Sequence, residues 1–126
     1  MMNKKILFRL VPVMFLLQAC ASLPIQGDIY LRQGKYDEAE KIYRELKDTE
    51  GLKKVAAAYL AEQWYRDAEK IYRELKDTEG LKKVAAAYLA AKVESYHDSE
   101  KVYGKAENIY RELKDTEGLK KVAAAY

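Results

Sequence analysis

The sequence predicts an all-α protein, a short solenoid of antiparallel helical hairpins with an N-terminal signal peptide in front of it. Three observations support this prediction. An 18-residue segment, IYRELKDTEGLKKVAAAY, occurs three times without change, at Ile42–Tyr59, Ile71–Tyr88 and Ile109–Tyr126. Apolar residues recur at helical spacing in every copy, and the 126-residue chain holds only six Gly and two Pro. Identical copies suit a solenoid, because each internal repeat meets the same kind of neighbour.

Residues 1–19 have the pattern of a signal peptide. A basic start containing Lys4, Lys5 and Arg9 precedes the apolar run LVPVMFLL, and QAC follows that run. The eight apolar residues fall far short of the roughly 20 that a membrane-spanning helix needs. We therefore predict an export signal and not a transmembrane helix.

The four residues LQAC, at Leu17–Cys20, resemble the lipobox of bacterial lipoproteins. The resemblance implies cleavage before Cys20 and attachment of a diacylglycerol to its thiol. Acyl chains such as palmitate would then hold residues 20–22 at the membrane as a lipidated anchor. Cys20 is the only cysteine, so no disulfide competes for it. An alternative stays open, because cleavage after Ala21 would discard Cys20 and release a soluble protein into the periplasm.

Residues 23–126 hold the repeats, whose related segments begin at Leu23, Leu52, Leu81 and Leu119, with intervals of 29, 29 and 38 residues. A nearly fixed period of this size indicates stacked supersecondary units. In the second copy, apolar stripes at helical spacing predict one helix from Leu52 to Leu60 and another from Tyr65 to Leu75. The segment AEQW provides the turn between them, and KDTEG places Asp and Thr where they can cap the next helix.

The third interval is longer because the second helix of that copy is extended. The segment SYHDSEKVY parallels the earlier WYRDAEKIY, and GKAENIY then repeats the helical pattern at Ala106, Ile109 and Tyr110. Two of the nine added residues fall in the turn, and the other seven form a full heptad, which keeps the apolar stripe in register. We therefore predict one long helix in the third hairpin.

The repeat resembles the tetratricopeptide repeat, with a period of 29 residues in place of that family's roughly 34. The first copy, GDIYLRQGKYDEAEKIYREL, has the signature residues Gly27, Tyr30, Gly34, Tyr36, Ala39 and Tyr43. The resemblance implies a right-handed solenoid whose first helices line a binding groove. The groove residues implied in this chain are Lys53, Ala57, Leu60, Lys82, Ala86 and Leu89. Lysines beside apolar side chains suit a peptide with acidic and apolar groups.

The charge distribution argues against several classes of partner. Apart from Lys4, Lys5 and Arg9, the chain has 20 basic and 20 acidic residues. A neutral remainder has no general attraction to nucleic acid or to an anionic membrane surface. Solvated helix faces are expected to carry three i, i+4 pairs, Glu40–Arg44, Glu69–Arg73 and Glu107–Arg111. The expected partner is therefore a protein or peptide, although the groove lysines could equally serve only solubility.

No catalytic or metal-binding pattern is visible in the sequence. The only histidine, His97, is followed directly by Asp98 and Ser99, and adjacent residues of a helix point in different directions. These three cannot form a catalytic relay. No phosphate-binding glycine motif occurs, so we predict no cofactor, no metal and no small-molecule substrate. Trp64 and Tyr36, near the hairpin turns, are expected to be packed rather than exposed.

Together these observations predict a membrane-anchored scaffold or adaptor for protein interactions, not an enzyme, at the bacterial cell envelope. It would face the periplasm, with the outer membrane favoured over the inner. The alternatives are the soluble adaptor, a purely structural spacer, and a fragment of a larger envelope enzyme with catalytic residues beyond Tyr126. The last helix is expected to leave Val122 and Tyr126 partly uncovered, because the array continues or because another molecule pairs with that face.

Overall fold

The computed structural model describes residues 23–91 and 96–126, and all regular structure in these two stretches is α-helical. Seven helices follow one another there: α1 at residues 23–32, α2 at Tyr36–Glu45, α3 at Thr49–Ala61, α4 at Tyr65–Glu74, α5 at Thr78–Ala90, α6 at Tyr96–Glu112 and α7 at Thr116–Ala125. Consecutive helices pack as hairpin pairs, which is consistent with a helical repeat array. The all-α prediction is confirmed.

The chain divides into two compact units between Leu52 and Lys53, inside α3. In the first unit, the Tyr43 ring of α2 contacts Gly27 of α1 and Gly51 at the start of α3. In the second unit, α5 packs against α4, α6 and α7, and α7 also packs against α6. A cleft separates α4 from α6.

The turns that end the second helices follow the chemistry predicted from KDTEG. Each aspartate of this motif accepts a hydrogen bond of 2.9–3.0 Å from a backbone N–H three residues later: Asp48 from Gly51, Asp77 from Gly80 and Asp115 from Gly118. The cap satisfies an N–H group that the helix itself leaves without a partner. The lysine before each aspartate lies in the left-handed region, with φ of 52° at Lys76. The chain reverses direction at this residue, as it commonly does after a helix.

In each hairpin, a tyrosine ring of the second helix also packs against a glycine of the helix that follows. The pairs are Tyr43–Gly51, Tyr72–Gly80 and Tyr110–Gly118. A β-carbon added to Gly80 would lie only 2.1 Å from Cδ1 of Tyr72, so a larger residue there would displace the ring. The sequence pattern predicts only helix capping for this motif. The ring contact explains why glycine stands at this position in every copy.

The third hairpin has the predicted long helix, since α6 has 17 residues and α4 has 10. The side chains of Ala106, Ile109 and Tyr110 are buried, as the repeated apolar pattern predicts. Gly104 lies inside α6, and apart from its chain neighbours and the nearby backbone of α6 itself, no described atom lies within 4 Å of a β-carbon built there. Its surroundings are therefore unlike those of Gly80, although both glycines are helical.

The last helix is better covered than the sequence suggested. Val122 is only 3 % exposed, so the expectation that it stays partly uncovered is wrong. The reason is that α7 packs against both α5 and α6. Tyr126 is 59 % exposed, in line with the expectation, although its ring meets Tyr103 edge-to-face at 5.6 Å between centroids.

Some predictions concern parts of the chain outside the described residues. They are the signal peptide at 1–19, the anchor at 20–22 with Cys20, and the side chain of His97. Across the described ranges, no helix is both long and apolar enough to cross a bilayer.

Candidate functional site

The predicted groove positions lie on the first helices of two consecutive copies. Helix α3 carries Lys53, Ala57 and Leu60, and α5 carries Lys82, Ala86 and Leu89. On both helices the lysine and the leucine are half-buried and the alanine is exposed. Spacing of i, i+4 and i+7 places each trio on one helix face. All six residues are accessible, and their part in binding stays a prediction.

A cleft of about 260 Å³ lies between α5 and α7, next to the predicted positions on α5. Lys82 and Ala86 line it, together with Lys83, Lys121 and Tyr110. Pockets for small molecules usually measure about 300–1,000 Å³. This cleft is smaller, so it suits one side chain of a partner better than a complete small molecule.

The two predicted groove lysines are already paired with capping aspartates of the next copy. Lys53 Nζ lies 3.9 Å from Asp77 Oδ2, and Lys82 Nζ lies 3.6 Å from Asp115 Oδ2. The backbone N–H of Gly118 lowers the pKa of Asp115, and Lys82 lowers it further. Exposed ion pairs stabilise a protein little, but they reduce the charge that a lysine offers to a ligand. An acidic ligand would therefore compete with these aspartates.

A larger cleft, of about 650 Å³, lies between α4 and α6, and we call it the cationic cleft. Five cations, two carboxylates and one amide line it: Arg66, Lys70, Arg73, Lys105, Arg111, Glu69, Glu112 and Asn108. This surface was not predicted from the sequence. A signal was present, since Arg66, Lys70 and Arg73 stand at i, i+4 and i+7 on α4. Only the packing of α4 and α6 on α5 shows that their charged faces line the same cleft.

Arg73 links the two walls of the cationic cleft. Its guanidinium donates to Glu69 Oε1 at 2.9 Å and to Glu112 across the cleft on α6. The hydrogen bond with Glu112 raises the pKa of Arg73. All three predicted glutamate–arginine pairs are confirmed: Glu40–Arg44 at 2.7 Å, Glu69–Arg73 at 2.9 Å and Glu107–Arg111 at 2.5 Å. Both carboxylates of the cleft are therefore bound to Arg73.

Tyr88 of α5 lies beneath one wall of this cleft. Its hydroxyl donates to Glu69 Oε2 at 3.2 Å. Burial, and then the charge of Glu69, raises the pKa of Tyr88 to about 12. The hydroxyl therefore stays protonated at neutral pH and holds Glu69 in place beside Arg73. In the first unit Tyr43 does the same with Asp28, at 2.7 Å, and burial is the main reason that its pKa is raised as well.

A smaller cleft with aromatic side chains adjoins the cationic cleft. Trp64, just before α4, packs on Tyr59 with 5.6 Å between ring centroids but remains 48 % exposed. The expectation that Trp64 is not exposed is therefore wrong, because a hairpin turn lies at the surface. Tyr65 meets Tyr88 edge-to-face at 5.1 Å, and Lys105 Nζ lies 5.4 Å from the centre of the Tyr88 ring. Tyr36, the other residue expected to pack, is half-buried.

The two clefts share residues. Arg66 and Lys105 line both the cationic cleft and a smaller cleft that contains Trp64 and Tyr88. Among the side chains that the structure describes, no group of three or more His, Cys, Asp or Glu could hold a metal ion. The interactions that these clefts can offer a ligand are ion pairing, hydrogen bonding and contact with aromatic rings.

Comparison with known proteins identifies no relative of this chain. No protein-family model matches the chain, and no curated protein or solved structure matches it. The likeness to the tetratricopeptide repeat thus depends on the signature residues of the first copy. The structure shows that the described helices form a repeat-like series of hairpins.

Proposed function

We propose that the chain is an interaction scaffold at the bacterial cell envelope, with tetratricopeptide-like, right-handed stacking of its hairpins and a lipid anchor on Cys20. One observation supports the scaffold role above the others. The first helices of two consecutive copies present the same accessible lysine, alanine and leucine. A peptide along these helices would meet the same chemistry at each copy, as recognition by a repeated surface requires.

The apolar and small residues would supply most of this contact. Leu60 and Leu89 are only half-buried, so a partner can cover their remaining apolar surface. The exposed Ala57 and Ala86 let the backbone of a peptide approach closely. Because Lys82 is already paired with Asp115, the lysines would affect orientation and association rate more than affinity.

Site-specific photocrosslinking tests this surface in the native envelope. We expect a photoreactive residue at Ala57 or at Ala86 to give a discrete adduct with one partner. The same residue at Lys41, an exposed position of α2, should give none, because Lys41 is not among the groove positions. Adducts would be detected as shifted bands and identified by mass spectrometry. Equal labelling from all three positions, or none from any, would reject binding at the first helices.

The lipid anchor has a separate test. Replacement Cys20→Ala is expected to prevent labelling by a radioactive fatty acid and to move the chain from the membrane fraction to the soluble fraction. The physical reason is that two or more acyl chains give stable anchoring, which the short apolar run before Cys20 does not provide after cleavage. Fractionation of wild-type and variant cells measures the change. A variant that stays in the membrane fraction would show that something other than this lipid holds the chain there.

A further inference from the structure

We propose that the cationic cleft is a second docking surface, which binds a short acidic peptide segment with an apolar residue at one end. This surface is separate from the first-helix positions and would bind its ligand whether or not they bind theirs. The occupant follows from three observations: the uncompensated charge of the cleft, the length of its row of cations, and the exposed ring of Trp64 in the adjoining smaller cleft.

The charge of the cleft is not balanced internally. Both of its carboxylates are bound to Arg73, and Arg111 is paired with Glu107 on the same helix. Within the part of the chain that the structure describes, Arg66, Lys70 and Lys105 have no carboxylate partner. These three side chains remain available to an anionic ligand.

The dimensions of the cleft favour a few residues of peptide. From Arg66 to Arg73 the row of cations extends for about 10 Å along α4, at the helical rise of about 1.5 Å per residue. An extended peptide covers that length with about three residues. Most of the lining cations are exposed, whereas a pocket for a small molecule has convergent polar groups that enclose the ligand. The cleft therefore suits a strand or loop of a partner better than a metabolite.

The surroundings of the cleft favour a peptide over a larger polyanion. Apart from Lys4, Lys5 and Arg9, the chain has equal numbers of basic and acidic residues. A nucleic acid or an anionic membrane would extend beyond the cleft, and the chain as a whole offers it no excess of cations, so it would gain little attraction. Trp64 is 48 % exposed where the row begins, and its ring can cover one apolar side chain of a peptide.

The single tryptophan makes this proposal directly measurable, since Trp64 is the only one in the chain. The full chain, in a neutral detergent, would be titrated with a synthetic peptide of one phenylalanine followed by four glutamates, blocked at both ends. We expect a saturable change in Trp64 emission that weakens as salt is added. A peptide with glutamines in place of the glutamates is expected to give no saturable change.

Two charge-reversal variants with the same total charge separate local binding from general attraction. Arg66→Glu with Lys70→Glu should raise the Kd of the acidic peptide by about tenfold or more, because two attractive pairs become repulsive. Lys35→Glu with Lys41→Glu changes two exposed lysines that line neither the cationic cleft nor the cleft between α5 and α7, and should change Kd by less than about twofold. Circular dichroism checks that each variant keeps its helices. If the first variant loses them, Arg66→Gln with Lys70→Gln replaces it, with a smaller expected increase in Kd.

Several results would overturn the proposal. An unchanged Kd in the Arg66 and Lys70 variant would show that the cleft does not bind the peptide. Equal weakening by both double reversals would show attraction to the chain as a whole. A stronger Trp64 response to a single-stranded oligonucleotide of equal charge would indicate a nucleic-acid surface. None of these results would alter crosslinking from Ala57 and Ala86, so the failure of this proposal is distinguishable from failure of the proposed scaffold surface.

Discussion

Replacing Ile71 by alanine is expected to lower the free energy of unfolding by about 2–5 kcal/mol. Ile71 is 1 % exposed and belongs to α4 in the packed second unit. Removal of its buried methyl and methylene groups loses apolar burial and leaves a cavity that the helices around it fill only in part. Urea unfolding followed by far-UV circular dichroism measures the change.

The chain provides a matched control for this replacement. Ile42 stands in the same local sequence, EKIYREL, but is only half-buried. Because the helix propensity of the two sites is the same, Ile42→Ala isolates the effect of burial. We expect it to cost about half as much or less, in proportion to the smaller apolar area involved. Equal losses at the two positions would contradict the difference in burial.

Replacement Gly80→Ala is expected to destabilise the protein by about 1–3 kcal/mol, although alanine is the better helix former. The added β-carbon would lie 2.1 Å from the Tyr72 ring. Either the ring moves out of its buried position or α4 moves away from α5. Thermal unfolding followed by circular dichroism measures the loss, and the Trp64 emission reports whether the start of α4 is disturbed.

Replacement Gly104→Ala is the control, and its effect should have the opposite sign. This glycine is also helical, but a β-carbon there meets nothing within 4 Å. The gain in helix propensity then remains, and we expect stabilisation by about 0.5–1 kcal/mol. If both replacements stabilise, the tyrosine–glycine contact is not as close as the structure shows. If both destabilise, Gly104 has a role that its open surroundings do not explain.

Much of the fold could be predicted from the sequence because the determining signals are local. Helical stripes, the KDTEG caps and the inserted heptad each depend on residues a few positions apart. These gave the all-α class, the hairpins and the long α6. The exposure of Trp64 and the burial of Val122 were predicted wrongly, because each depends on how many neighbouring helices reach that position.

The cationic cleft was missed for a related physical reason. Glu69–Arg73 and Glu107–Arg111 were correctly predicted as i, i+4 pairs, but each pair was considered on its own helix. That Arg73 also binds Glu112 depends on how α4 and α6 lie on α5. The distance between faces of different helices is set by packing, and a single sequence does not contain it. The tyrosine–glycine contacts did leave a signal, a spacing of eight residues from Tyr72 to Gly80 that recurs in each copy.

The ion pairs between Lys53 and Asp77 and between Lys82 and Asp115 bear on how such a chain can evolve. In both pairs, the lysine of one copy contacts the aspartate of the next copy, and every copy of the 18-residue segment contains both residues. A further copy inserted by recombination therefore brings a lysine that can pair with the aspartate of the next copy. It also brings an aspartate that can pair with the lysine of the copy before it. Array length can therefore change by whole copies without a compensating mutation at the new junction.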